Sequence, residues 1–130
     1  MRLRPFLGGW DDDGMTTPTG WANDDVVIAK AMELAATLGD DQNHTVAAAA
    51  MDLNGNIYAG VNNYHFNGGP CAELVVLGIA ASAHAGRLAT MVAVGDGGRG
   101  VISPCGRCRQ VMLDQHPDIC VLVPNDDQIR

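Results

Sequence analysis

Two short segments of the chain hold residues suited to metal and proton chemistry. One is Gly68-Gly69-Pro70-Cys71-Ala72-Glu73 and the other is Ser103-Pro104-Cys105-Gly106-Arg107-Cys108. A proline stands immediately before a cysteine in each. Proline is tolerated at a helix start because the first amides lack intrahelical partners. Cys71 and Cys105 are therefore expected at helix N-termini, where the dipole and free N–H groups favour thiolate over thiol. Cys105 and Cys108 have i, i+3 spacing, so one helical face carries both. Three thiolates make a tetrahedral zinc site with one open corner, the arrangement of catalytic rather than structural zinc. Glu73, in the same first turn as Cys71, is placed to move protons at that corner.

Periodicity locates the elements that must position these residues. Asn23 or Asp24 caps a helix that runs to about Leu38, with Gly39 as its stop. Val27, Ala31, Leu34, Ala35 and Leu38 form its apolar stripe. Thr45 to Met51 and Ile57 to Asn62 read as two strands joined by an Asn-Gly turn. A loop from Tyr64 to Pro70 delivers the chain to a helix from Cys71 to about Ala85, ended by Gly86. Strands follow at Thr90 to Val94 and Val101 to Ser103, then a helix from Cys105 to about Gln115. Ile119 to Val123 is a last apolar strand. The order α-β-β-α-β-β-α-β predicts an α/β fold: a single mixed sheet of about five strands sandwiched by helices. Residues 1–22 show no periodicity and are expected to be a flexible N-terminal extension, with Trp10 or Trp21 touching the body. Their Asp11-Asp12-Asp13 run reads as solvated charge rather than a metal site. Residues 23–130 form one domain.

Composition narrows the partners. A chain of 130 residues with 47% hydrophobic content supports one core. No apolar run is long enough to span a membrane. Lys and Arg number 8 against 15 Asp and Glu, a net charge of −7. That balance opposes binding to a nucleic-acid backbone, so the expected partner is a small molecule, with no nucleic acid and no membrane. Met1 to Trp10 lacks the apolar stretch of a secretory leader, and four cysteines here point to metal or redox use rather than a disulfide framework. A cytoplasmic protein is expected.

The run from Thr45 to Val123 resembles the cytidine deaminase superfamily and, within it, the blasticidin S deaminases. The resemblance is carried by Gly60-Val61-Asn62, Tyr64-His65-Phe66, the stretch from Gly68 to Gly78, Arg99-Gly100, the stretch from Ser103 to Val111, and Leu113. It implies the mixed-sheet fold of that family, with Zn2+ on Cys71, Cys105 and Cys108. It also implies hydrolytic deamination: the C4 amine of a cytosine ring is replaced by oxygen and ammonia leaves, with Glu73 as the catalytic proton carrier to N3. Thr45, Asn62, Tyr64, Ala72, Arg99 and Ser103 are the implied contacts to a nucleoside substrate. Main-chain groups near Ala72 and Ser103 would hold the ring edge. A homo-oligomer, specifically a homotetramer, is implied too, and small residues on the first metal helix (Ala72, Gly78, Ala80, Ala81, Ala83) suit close packing.

Three departures refine that expectation. Cytidine deaminases carry Asn-x-Glu ahead of the zinc helix to hold ribose hydroxyls, whereas this chain has Asn62-Asn63-Tyr64. Losing the carboxylate weakens repulsion of an acidic sugar, which favours a blasticidin S-like nucleoside. Many relatives place arginine directly after the catalytic glutamate; Leu74 stands there, and Arg107 is the candidate for offsetting the thiolate charge. The sequence stops at Arg130, so a substrate lid or part of a subunit contact is expected to be missing.

Rival readings stay open beside this one. Within enzymes, the alternative is a cytidine, deoxycytidine or other small-heterocycle deaminase. Outside them, it is a non-catalytic zinc-stabilised domain. Cys105 and Cys108 also fit a redox dithiol, which leaves Cys71 and Glu73 without a purpose. Cys120 could be a fourth zinc ligand, but its apolar run reads as core. Gly95 to Gly100 matches a dinucleotide loop, yet strand rather than helix is expected after it. Arg99 also fits an ordinary surface arginine. His44, His65, His84 and His116 show no ligand spacing, and only His65 lies in the loop nearest the site.

Overall fold

The structure is a computed structural model, and it describes residues 1–5 and 23–124. The acidic run and both tryptophans considered above lie outside the described residues. Strand β1 spans Arg2–Pro5, helix α1 Asp24–Ala35, β2 Val46–Asp52 and β3 Ile57–Val61. Helix α2 spans Ala72–Ser82, β4 Leu88–Gly95, β5 Gly100–Ile102, α3 Gly106–Gln115 and β6 Cys120–Val123. These strands form one mixed sheet in the order β1-β6-β4-β2-β3, with β5 pairing to β4.

Strand β4 is the centre of this sheet, and β2 lies between it and β3, antiparallel to both. The run of four alanines in β2 is a weak strand signal, and packing overrides that propensity. Ala48 and Ala50 face the core under α2 and α3, built with Val76, Leu77, Met91, Met112 and Val121. Ala47 and Ala49 face the other core, which α1 closes with Val27, Ile28, Ala31 and Ala35. Both faces are covered, so small residues are needed on each. Gly60 in β3 serves the same end: a Cβ there would meet Val75 Cγ1 at 2.9 Å and Ile79 Cδ1 at 3.0 Å, so its absence lets α2 lie close to the sheet.

The sheet differs from the sequence expectation at one edge. Arg2–Pro5, expected within a flexible extension, form a sixth strand parallel to β6, with Arg2 opposite Cys120 and Pro5 opposite Val123. Arg4 donates from Nε and Nη2 to the Asp24 carboxylate at 2.9 and 2.7 Å, tying this strand to the start of α1. Met1, Leu3 and Pro5 alternate with Arg2 and Arg4 over too few residues to mark a strand, and the pairing partner lies at the far end of the chain.

Two helix ends differ as well. Helix α1 stops at Ala35 rather than Leu38, without a cap from Gly39. The Thr37 hydroxyl donates to Leu34 O at 2.6 Å and the Thr37 and Leu38 amides take i−3 carbonyls, so the last turn tightens and ends. Helix α2 ends at Ser82 rather than Ala85, and His84 and Gly86 then turn the chain with φ of 58° and 72°. The glycine-rich stretch after β4 leads into β5, not a helix, which removes the dinucleotide-loop reading.

Candidate zinc and catalytic site

Both metal helices begin one residue after a cysteine. Cys71 is the N-cap of α2 and Cys105 the N-cap of α3, each with extended backbone (ψ 160° and 169°). Cys108 lies one turn into α3 and is fully buried against Met112 and the α2 core. The Cys71 and Cys105 Sγ atoms are 3.6 Å apart and those of Cys105 and Cys108 3.5 Å, and all three sulfurs lie within 4.8 Å of one another. Zinc–sulfur bonds of about 2.3 Å set tetrahedral S···S edges of about 3.8 Å, so the observed spacing fits one zinc ion.

The charge environment fits as well. Burial raises the Cys105 thiol pKa, but the N–H groups of Cys108 and Arg107 and the neighbouring sulfurs outweigh it, leaving the pKa below the usual thiol value. Cys108 is pushed far above that value by burial and by the Glu73 carboxylate. Three thiols so close cannot all ionise unaided, and a dication among them removes the conflict. Cys120 lies apart from this cluster, buried in β6, where burial lifts its thiol pKa too.

Glu73 sits in the first turn of α2, 4% exposed. Burial raises its carboxyl pKa, partly offset by its own backbone N–H and by the Cys108 thiol. The carboxyl therefore lies buried beside the Cys108 sulfur.

Arg107 reaches back across the site from α3. Its Nη2 donates to Gly69 O at 2.9 Å and to Cys71 Sγ at 3.5 Å, and Nη1 to Gly68 O at 3.4 Å. The Cys71 sulfur in turn raises the guanidinium pKa. Arg107 is therefore not a free surface arginine: it links the two cysteine-bearing segments, where its charge lies beside the Cys71 sulfur. Arg107→Met is expected to weaken zinc binding about 10- to 100-fold, measured by competition with a chromogenic chelator, with Arg107→Lys intermediate. Equal affinity in all three proteins would contradict that role.

The loop ahead of Cys71 is tightly wound. Gly69 packs so closely that a Cβ would sit 2.0 Å from Asn63 O and 2.6 Å from His65 N. The Asn63 amide donates to Pro70 O at 3.0 Å, closing the loop on itself. This folding leaves Tyr64 and Phe66 60% and 86% exposed, and the His65 and Phe66 rings in contact at 4.5 Å.

The remaining sequence candidates divide into two groups. Thr45, Asn62 and Arg99 come together in a polar knot at the start of β2. Asn62 Oδ1 accepts from the Thr45 and Val46 amides at 2.7 and 3.0 Å, while Nδ2 donates to Thr45 Oγ1 at 3.2 Å. Arg99 Nη2 donates to Thr45 O at 2.8 Å and pairs with Asp96 at 2.9 Å. Ala72, fully buried, follows Cys71 directly, and Ser103 is exposed just ahead of Pro104. Among the described residues, no hydrogen bond joins the knot to the sulfurs. Sequence reasoning missed two members of the knot. Asp96 orients Arg99, and His44 Nδ1 lies 2.8 Å from Asn62 O. Neither has a spacing that marks it.

Residues 22–123 match the family described as the cytidine and deoxycytidylate deaminase zinc-binding region. Blasticidin-S deaminase of Bacillus cereus is 33% identical over 106 residues, covering 75% of this chain and 76% of that one. Cytidine deaminase of Mycobacterium tuberculosis is 41% identical over 71 residues, 53% of each chain. Among solved structures, cytidine deaminase from Mycobacterium leprae superposes with a TM-score of 0.67 at 26% identity, covering 79% of this chain and 89% of that one. The M. tuberculosis enzyme gives 0.65 at 30% identity, covering 84% and 88%. No helix among the described residues is long and apolar enough to cross a membrane. With the sulfur tripod, the adjacent buried glutamate and a family match that runs through both, the chain belongs to the cytidine and deoxycytidylate deaminase family.

Proposed function

We propose that this zinc-dependent deaminase removes the C4 amine from the cytosine ring of a blasticidin S-like nucleoside. Cys71, Cys105 and Cys108 would hold the zinc, which when bound supplies a Lewis acid that makes water a competent nucleophile near neutral pH. Glu73 is the proton carrier: it accepts a proton from the attacking water, passes it to N3, and assists departure of the amine as ammonia. The balance is one water consumed, a C4–N bond broken and a C4–O bond formed. Burial of Glu73 beside the sulfurs supports that assignment. Backbone groups of Ala72 and Ser103 would hold the ring edge.

The sugar end is assigned to Asn62, Tyr64, Thr45 and Arg99. Asn62 has its side-chain oxygen fully engaged by two amides, which fixes the amide orientation and leaves one Nδ2 hydrogen for a sugar group. The observation that carries the substrate preference is Tyr64. Cytidine deaminases hold a glutamate at that place by the resemblance above. A phenol there accepts an acidic sugar that a carboxylate would repel. The likeness to the B. cereus enzyme, over three-quarters of both chains, supports the same reading. Cytidine is the second reading, supported by the 41% identity to the M. tuberculosis enzyme over a shorter stretch.

Ammonia release from a panel of blasticidin S, cytidine, deoxycytidine and cytosine tests this assignment. The antibiotic is expected to give the highest kcat/KM, by about tenfold over cytidine, the worth of one repulsive contact removed. Turnover of cytidine without the antibiotic would overturn the substrate. A zinc-loaded protein inert on all four would favour the non-catalytic domain.

A further inference from the structure

The polar knot contains a side chain that the reaction as described leaves without a task. His44 stands just before β2, and its Nδ1 lies 2.8 Å from the carbonyl oxygen of Asn62. A carbonyl only accepts, so Nδ1 carries the hydrogen and donates it. Nε2 faces Asp41 at 4.0 Å. The bond falls where the β2–β3 ladder ends, its last pair being Ala47 with Val61. Beyond that pair, Asn62 O has no strand partner, and a side-chain donor from the neighbouring segment takes that place.

Asn62 is thereby held at every polar group it has. Its amide donates to Val46 O at 3.0 Å, its carbonyl accepts from His44, its Oδ1 from Thr45 and Val46, and its Nδ2 donates to Thr45 Oγ1. The next residues are clamped on the same side, because the Tyr64 amide donates to Asn43 O at 2.8 Å. Thr45 O is itself held by the Asp96 amide at 2.9 Å and by Arg99. His44 is the half-buried side chain that ties the backbone of Asn62 to this assembly.

We propose that His44 is a positioning residue for nucleoside binding, one that holds the Asn62 backbone so that its single unclaimed side-chain N–H meets the sugar. This rests on the reading above in which Asn62 contacts the sugar. Asparagine at position 44 can supply a donor close to the Nδ1 position, whereas phenylalanine fills the volume without one.

The test compares zinc-loaded parent, His44→Phe and His44→Asn with cytidine and blasticidin S as probes, alongside amide hydrogen exchange at Thr45 and Val46. His44→Phe is expected to raise KM about tenfold with kcat within about twofold, and to speed exchange at both amides about tenfold, the worth of one hydrogen bond. His44→Asn is expected to recover both to within about threefold. Parent-like KM in His44→Phe, a loss confined to kcat, or no recovery in His44→Asn would overturn the proposal. A parent inert on both nucleosides would instead defeat the substrate reading, and exchange at Thr45 and Val46 would then decide whether His44 holds Asn62: unchanged exchange rejects it.

Discussion

Replacing Glu73 with glutamine is expected to lower kcat by about 1,000-fold or more, while bound zinc stays at the parent level. General acid–base groups contribute roughly 100- to 10,000-fold, and the role proposed for this residue serves both the water and the leaving amine, which places the expected loss in the upper part of that range. Glutamine has the size and shape of glutamate, so the first turn of α2 and the buried contacts around Ala72 and Val76 are preserved. It cannot accept a proton from water and return it to N3. KM is expected to move by only a few-fold, because the proposed ring and sugar contacts lie elsewhere. Single-turnover ammonia release with metal analysis on the same sample checks both halves. Turnover within tenfold of the parent would remove Glu73 from the chemistry. Loss of zinc together with activity would mean that it acts through the metal site instead.

The parts of this site carried by local spacing are legible in the sequence, and those carried by long-range contacts are not. Pro70 and Pro104 announce the two helix starts, and the observed N-caps are Cys71 and Cys105. The i, i+3 relation puts Cys105 and Cys108 together by local spacing, whereas Cys71 joins them across 34 residues, through the packing of α2 beside α3. Arg107 stands out in the sequence as an electrostatic partner, but its bonds to Gly68 and Gly69, 39 and 38 residues away, are products of the fold. The same holds for the knot: Asn62 meets Thr45 across 17 residues and Arg99 meets Thr45 across 54. Hairpin register brings the first pair together and the β4–β5 turn the second. Asn62 and Thr45 read as substrate contacts, and their mutual bonding, which uses most of their capacity, has no local signal. Strand β1 is unreadable for a related reason. An edge strand needs no apolar face of its own when its partner strand, here β6, is already buried.

Substituting the cysteines one at a time is expected to divide them three against one. Cys71→Ala, Cys105→Ala and Cys108→Ala each leave two thiolates, and zinc is expected to fall below about a tenth of an equivalent after passage through metal-free buffer, since two-ligand sites lack the closure that holds the ion. Cys120→Ala is expected to keep full occupancy, because Cys120 is a buried member of β6 outside the sulfur cluster. Thermal melts with and without chelator separate metal loss from packing loss. A ligand present at about 1,000 times its Kd stabilises by about 4 kcal/mol, so chelation should lower the midpoint of the parent and of Cys120→Ala by several degrees. The three ligand variants, already without metal, should not respond. Among them, the chelated midpoints should still differ. Cys108 is fully buried beside Met112, and its truncation opens a cavity; Cys105 is exposed, and its truncation opens none. Cys108→Ala should therefore melt below Cys105→Ala in chelator, the order that a sulfur shared between metal and core demands. Zinc retained by any of the three, or lost from Cys120→Ala, would contradict the tripod.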